Sequence, residues 1–209
     1  MTEPTLPPVP PKYVGGNAAL DFANSLRGRD DGVPRGDHLG GYDDLIAWGE
    51  GAGLIDRREG RRLRSEAARR PREAAQAFGR AIALREIIYR IFRALADGRR
   101  PVRADLDAFN AALAASLPHQ RLVEAEAGFG WAWEDTLALD RVLWPVLRAA
   151  AELLTSDRLP RVRECGGDHC GWLFLDETKN RSRRWCEMSV CGNRAKARRH
   201  YDRSRRLAG

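Results

Sequence analysis

RECGGDHCGWLFLDETKNRSRRWCEMSVCGNR, residues 163–194, holds every cysteine of the chain: Cys165 and Cys170, then Cys186 and Cys191. Each pair is Cys-x4-Cys, and 15 residues separate the two pairs. Four thiols in two closely spaced pairs have the ligand count and the grouping of one tetrahedral zinc site. With four sulfurs available, no coordination position has to stay open for a substrate, so the metal is expected to be structural, one Zn2+ per chain. A segment this short buries too little apolar surface to fold alone, and thiolate binding supplies the missing free energy. His169, beside Cys170, is the alternative ligand in this stretch.

Charge is concentrated in the same region. From Arg158 to Gly209 there are 14 Lys+Arg against 6 Asp+Glu, a balance of +8, whereas the whole chain of 209 residues carries +7. The preceding part is therefore close to neutral. Zinc with four thiolates would subtract two charges and leave about +6 on the cysteine-bearing segment. Such a density favours a polyanionic partner, although a solvated basic tail that only keeps the protein soluble has the same composition.

No apolar run approaches the roughly 18–20 residues that span a bilayer, so no membrane partner is expected. The opening MTEPTLPPVPPKYVGG lacks a basic region followed by an apolar stretch. A cytoplasmic location follows as the expectation, nucleoid-associated if the chain binds DNA. Reducing conditions there favour metal ligation over disulfides.

Upstream of the cysteines the sequence reads as mainly helical. Five prolines in the first eleven residues mark residues 1–12 as an extended arm. GGNAALDFANSL then offers Leu20, Phe22 and Leu26 among small residues, before a loop rich in Gly and Asp. YDDLIAWGEGAGL predicts a short helix with Leu45, Ile46 and Trp48 inward. Asp56 caps a charged helix, and Pro71 opens the next at its first turn, where a missing N–H costs little. Between Ala74 and Ala96 the apolar residues Phe78, Ile82, Leu84, Ile88, Ile91, Phe92 and Leu95 recur at helical spacing, with Arg85, Glu86, Arg90 and Arg93 mostly outside. A further helix is expected over Ala104–Leu117.

RLVEAEAGFGWAW alternates around Gly128 as a hairpin does. It sets Trp131 and Trp133 on one side, where packing in the core is the expected role and lining a pocket the alternative. A helix over Thr136–Thr155 should bend or break at Pro145. Residues 13–158 thus form a mainly α domain with a small β-hairpin, and 159–209 a separate zinc module, divided near Leu159–Pro160.

Within that module, Trp172 to Leu175 predicts a strand, a second strand runs through Trp185, and Cys191 starts the last helix, over Ser189–Arg206. Knuckle, hairpin and helix in this order make a treble-clef-like zinc finger. Trp172, Phe174 and Trp185 are its expected core, with base stacking as the other use of such residues. A thiolate at a helix N-terminus meets the positive end of the helix dipole, and Gly192 would let the backbone approach the metal. At 100° per residue Lys196, Arg199, Arg203 and Arg206 fall within an arc of about 80°, with Arg194, Arg198 and Arg205 opposite. Such a helix suits phosphate contacts or the major groove. Arg181, Arg183 and Arg184 form a second basic cluster, placed either to clamp a phosphate backbone or to pair with the acids of Asp176-Glu177-Thr178.

CGWLFLDETKN and RSRRWCEMSVCGNRAKARRHYDR resemble the CGNR zinc-finger family, with Cys191-Gly192-Asn193-Arg194 intact. GGNAALDFANSL and YDDLIAW resemble the N-terminal ABATE domain of the same proteins, which are regarded as stress-responsive transcription regulators. The resemblance covers most of the chain from about Tyr13. It implies that Cys165, Cys170, Cys186 and Cys191 bind zinc and that Arg194 and Lys196 contact DNA. Its signature positions in the first domain are Leu20, Asp21, Phe22 and Asn24, with Ser25 where Thr is usual.

A DNA-binding transcription regulator is therefore the leading expectation. The helical domain would sense a small-molecule effector or form a homodimer, and Arg181, Arg183, Arg184, Arg194, Lys196, Arg198, Arg199 and Arg203 would contact DNA. Asp21 and Asn24 are the candidate effector ligands, the alternative being that they tie down a turn or cap a helix. The competing expectation is a protein or RNA interaction module with a structural zinc. No catalytic role is expected: the histidines are scattered at 38, 119, 169 and 200, with no nucleophile motif or phosphate loop.

Overall fold

Helix α4, Pro71–Ala96, is the axis about which the rest is assembled. It belongs to a computed structural model that describes residues 11–29, 36–126 and 128–208, with the side chains of 206–208 left aside. The expected arm therefore lies outside the described residues except for its last two positions, as does the stretch 30–35 of the Gly- and Asp-rich loop. Arg206 of the last helix is likewise placed by its backbone alone.

The element order is α1 (Ala18–Ala23), α2 (Tyr42–Gly51), α3 (Arg57–Arg69), α4, α5 (Arg103–Ser116), β1 (Gln120–Ala125), β2 (Gly128–Trp133), α6 (Leu143–Leu154), β3 (Val162–Glu164), β4 (Leu173–Leu175) and α7 (Asn193–Ala208). Local chemistry sets several of these limits. Asn17 accepts from Ala19 N–H and starts α1. Asp56 and Glu59 form a reciprocal capping box on α3. Pro71 sits at the first turn of α4, and Asp97-Gly98 ends it, with Gly98 at φ 69. The helix expected over Thr136–Thr155 begins only at Leu143, because Pro145 has no N–H to give and therefore belongs in the first turn.

The core gathers Leu20 and Phe22 of α1, Leu45, Ile46 and Trp48 of α2, Ile88, Ile91 and Phe92 of α4, and Val142, Val146 and Leu147 around α6. Arg85, expected outside, is buried instead. Its guanidinium meets both carboxylate oxygens of Asp37 at 2.6 and 2.8 Å and the hydroxyl of Ser25 at 3.2 Å. Beside it Arg29 grips Glu86 at 2.7 and 3.1 Å and lies 4.0 Å from the ring centroid of Tyr89. These paired, buried ions pin both flanks of the loop between α1 and α2 to α4, since an unpaired charge there would be costly.

β1 and β2 form the expected hairpin, with Leu122 opposite Trp131 and Glu124 opposite Phe129. Trp133 tilts against Trp144 at 5.8 Å. Trp131 departs from the expectation: it is 61% exposed, with the Arg148 guanidinium 5.0 Å from its ring centroid, because the hairpin stands off the core beyond Trp133.

β3 and β4 pair antiparallel, Val162 with Leu175 and Glu164 with Leu173. The partner of β4 is thus the strand before the first cysteine; the described residues 181–187 hold no strand. Val162, Leu173 and Leu175 pack into the same core as α1 and α4. Polar contacts reinforce this. Asn24, at the end of α1, donates to Leu173 C=O and accepts from Leu173 N–H, both at 2.8 Å, and so takes the place of a neighbouring strand. Leu175 N–H reaches Gly15 C=O at 2.8 Å, and Tyr89 donates to Gly171 C=O at 3.0 Å.

Asn24→Ala leaves two buried backbone groups of Leu173 without partners. It is expected to cost about 2–5 kcal/mol, read as a lower urea midpoint for the zinc-loaded protein. A loss within experimental error would show that the finger does not depend on this joint.

Candidate metal centre and basic helix

The four sulfurs converge from three short elements. Cys165 directly follows β3, Cys170 closes the knuckle before β4, and Cys186 and Cys191 flank the turn that leads into α7. Their Sγ atoms lie within 4.8 Å of one another, with Cys170 to Cys186 and Cys186 to Cys191 both 3.7 Å. Tetrahedral zinc with Zn–S bonds of about 2.3 Å requires sulfurs about 3.8 Å apart. The cysteines are free rather than bridged, and the four donors are soft thiols. The residues therefore fit one structural Zn2+. Zinc supplies a fixed crossing point for the knuckle and the α7 turn, with no open position for chemistry.

The backbone favours the thiolate at one of the sulfurs, Cys165. Cys186 N–H points at Cys165 Sγ, 3.2 Å away. Cys165 is held below the ordinary thiol range by hydrogen bonds from Cys170, Cys186 and Cys191. Gly167, rather than Gly192, is the glycine pressed on the centre: a Cβ there would stand 2.9 Å from Cys191 Cβ and 3.1 Å from its Sγ. Gly192 instead makes room for Met188. The turn Met188–Gly192 is wider than an α-turn, with Gly192 N–H bonded to Glu187 C=O at 3.2 Å, and it swings Cys191 toward its partners before α7 begins. His169 sits in the knuckle at φ 60 and is outside the sulfur cluster.

Phe174 is fully buried, Trp172 nearly so, and Trp185 packs on the cysteine cluster, as expected for the core of the module. Trp172 donates its indole N–H to Leu26 C=O at 3.0 Å. Asp176, buried, accepts from Thr178 N–H at 2.9 Å and Arg183 N–H at 3.0 Å, which fixes the loop between β4 and Cys186.

The basic residues divide into two groups. Arg183 turns inward: its guanidinium lies 4.4 Å from the Phe174 ring centroid and donates to Trp185 C=O and Val14 C=O, both at 3.0 Å. It therefore offers nothing to an external phosphate, because its planar N–H groups already serve carbonyls. Arg181 and Arg184 stay exposed. On α7, Arg194, Lys196, Arg198, Arg199 and Arg203 are all exposed, with Arg198 paired to Asp168.

Asp21 and Asn24 are engaged with the chain's own backbone. Both amide atoms of Asn24 are taken by Leu173, and Asp21 accepts from Gly15 N–H at 2.8 Å. Burial pushes the Asp21 carboxyl up to about 6, against the Gly15 and Val14 N–H groups that lower it. The folded pKa lies above the unfolded value, so the folded state binds this proton more tightly. Stability from this group is then full near pH 4 and falls as pH rises toward 6. Asp21→Asn keeps an acceptor for Gly15 but not the slope. Its unfolding free energy relative to wild type should rise by about 1 kcal/mol between pH 5 and pH 7, measured on zinc-loaded protein. The same difference at both pH values would contradict this.

A family model described as "Putative stress-induced transcription regulator", ABATE, matches residues 16–157. The chain belongs to the ABATE family. A second model, the CGNR zinc finger, matches residues 161–204 of this ABATE protein, the segment that holds the metal centre and most of α7. No curated protein sequence matches the chain. Among the described residues, no helix is long and apolar enough to cross a membrane.

The residues that sequence reasoning missed are those that join the ABATE unit to its finger: Asn24 as the partner of β4, Gly167 against the sulfurs, and Arg183 as an internal tie. Asn24 carried a signal, an amide just after Leu20, Phe22 and Ala23, but its partner lies 149 residues away.

Proposed function

We propose that this ABATE protein is a DNA-binding transcription regulator in which the zinc centre holds α7 out for duplex DNA, while the helical unit senses an effector or dimerises. One observation carries it: every residue from Lys196 to Arg205 is exposed, so this part of α7 buries no face in its own protein, and its tie to the finger is the pairing of Arg198 with Asp168. A helix that is polar all round gains little from its own fold and is suited to a partner. Its Lys and Arg side chains match phosphate oxygens and guanine edges, and at about 24 Å long it can lie along a major groove about 12 Å wide.

Arg194 and Lys196 in the first turns, then Arg199 and Arg203, are the proposed contacts, with Arg181 and Arg184 beside them. The family description agrees with a regulatory role. Binding alone performs it, and no catalytic step is assigned. A single finger makes few base contacts, so selective binding calls for a dimer. The exposed face of Leu122, Phe129 and Trp131 on the hairpin supports one.

The test is a competition at a single salt concentration between mixed-sequence duplex DNA and structured RNA for the zinc-loaded protein. Duplex is expected to displace RNA. Preferential retention of RNA would favour an RNA-interaction module instead.

A further inference from the structure

A cavity of about 430 Å3 opens where the finger faces the chain that follows α1. Its size suits a small ligand. Cys170, Cys186 and Cys191 reach it, so the metal centre forms part of its floor, while Trp172 and Val190 give it apolar wall. The ionised side chains around it are Lys12, Arg27, Asp168, Glu187, Arg194 and Arg198. Both carboxylates are already taken, Glu187 by Lys12 at 2.5 Å and Asp168 by Arg198. That leaves two guanidinium groups lining one cavity with no carboxylate partner among the described residues: Arg27, which follows α1, and Arg194, in the first turn of α7.

We propose that this cavity binds a small oxyanion, a phosphoryl or carboxylate group held between Arg27 and Arg194. The zinc centre beneath carries about two negative charges, so cavity and floor together are near neutral. A general positive field is therefore not what selects the ligand. Selection comes from the directed N–H forks, which fit a planar carboxylate or a phosphate edge, and from the positive end of α7. The apolar wall removes water from one side of the site and suits an aromatic or aliphatic body attached to the anion.

The site deepens the effector part of the proposed function. One clamp residue comes from the ABATE unit and the other from the helix proposed to meet DNA, so a bound anion withdraws Arg194 from the duplex. The same chemistry is carried by a free metabolite or by a DNA backbone phosphate.

Calorimetric titration of the zinc-loaded full chain with phenyl phosphate tests the site. Saturable binding is expected, weakened about tenfold or more by Arg27→Ala and partly restored by Arg27→Lys. Arg203→Ala should leave it unchanged. Among the described residues the Arg27 side chain has no hydrogen bond or ion pair, so zinc content and melting temperature of the variants should match wild type; equal zinc content and melting confirm that a loss is local. Duplex binding by the same variants identifies the source: unchanged affinity in Arg27→Ala marks a free metabolite, reduced affinity a backbone phosphate. No saturable binding up to about 10 mM, or identical binding by Arg27→Ala, would overturn the site. Phenyl phosphate binding without any duplex binding would instead sink only the DNA reading.

Discussion

Stripping zinc with a chelator, or replacing Cys186 by Ser, is expected to destabilise the helical unit as well as the finger. Structural zinc contributes about 10–16 kcal/mol to small metal-folded modules, as much as or more than the 5–15 kcal/mol that holds a typical domain together. In this chain the effect reaches further, because Val162, Leu173 and Leu175 are buried in the core that contains Leu20, Phe22 and Ile88. Each such side chain is worth about 1.5–3 kcal/mol when buried, and the Asn24 amide loses both of its partners with them. The zinc-loaded protein should melt in one transition. After chelation the melting temperature of the helices themselves should fall steeply, and far-UV ellipticity should drop by more than the finger alone contributes. Helices that melt at an unchanged temperature without zinc would show two independent bodies.

Replacing Arg194, Lys196 and Arg199 together by Ala is expected to abolish duplex binding at physiological salt while leaving zinc content and melting intact. All three are exposed, and none carries an ion pair among the described residues, so their removal does not touch the core. Each phosphate contact releases condensed counterions and contributes about 0.9 to the slope of log K against log salt. Three lost contacts should flatten that slope by about 3 and weaken binding at low salt by several kcal/mol in sum. Arg198 serves as a contrast, since its pairing with Asp168 already spends part of its charge inside the finger. A triple variant that binds duplex with the wild-type slope would place the contacts elsewhere.

The parts legible in the sequence were those written in local spacing. The Cys-x4-Cys pairs named the ligand set, the 3.6-residue periodicity of Ala74–Ala96 and the cap at Asp56 named their helices, and Gly128 marked the hairpin. What was not legible depends on partners far apart in the chain. Asn24 reads equally well as a cap, a ligand contact or a joint, and only the placement of Leu173 decides among them. Arg183 sits in a basic run with Arg181 and Arg184, yet the carbonyls of Val14 and Trp185 and the ring of Phe174 draw it inward. Arg85 reads as an outward residue by its charge, yet at 100° per residue it shares the face of Ala81, Ile88 and Phe92, and it is tolerated there because Asp37 arrives from a loop to neutralise it. The strand pairing failed for a related reason: Arg161-Val162-Arg163-Glu164 has a single apolar residue and no alternation to announce β3.

Selection of genomic fragments by the zinc-loaded protein, run beside the Arg194, Lys196 and Arg199 triple variant, tests most directly whether α7 reads DNA. Enrichment of one sequence motif by the wild type, lost in the variant, is the expected result. Fragments recovered without a common motif, or the same motif recovered by both proteins, would contradict it.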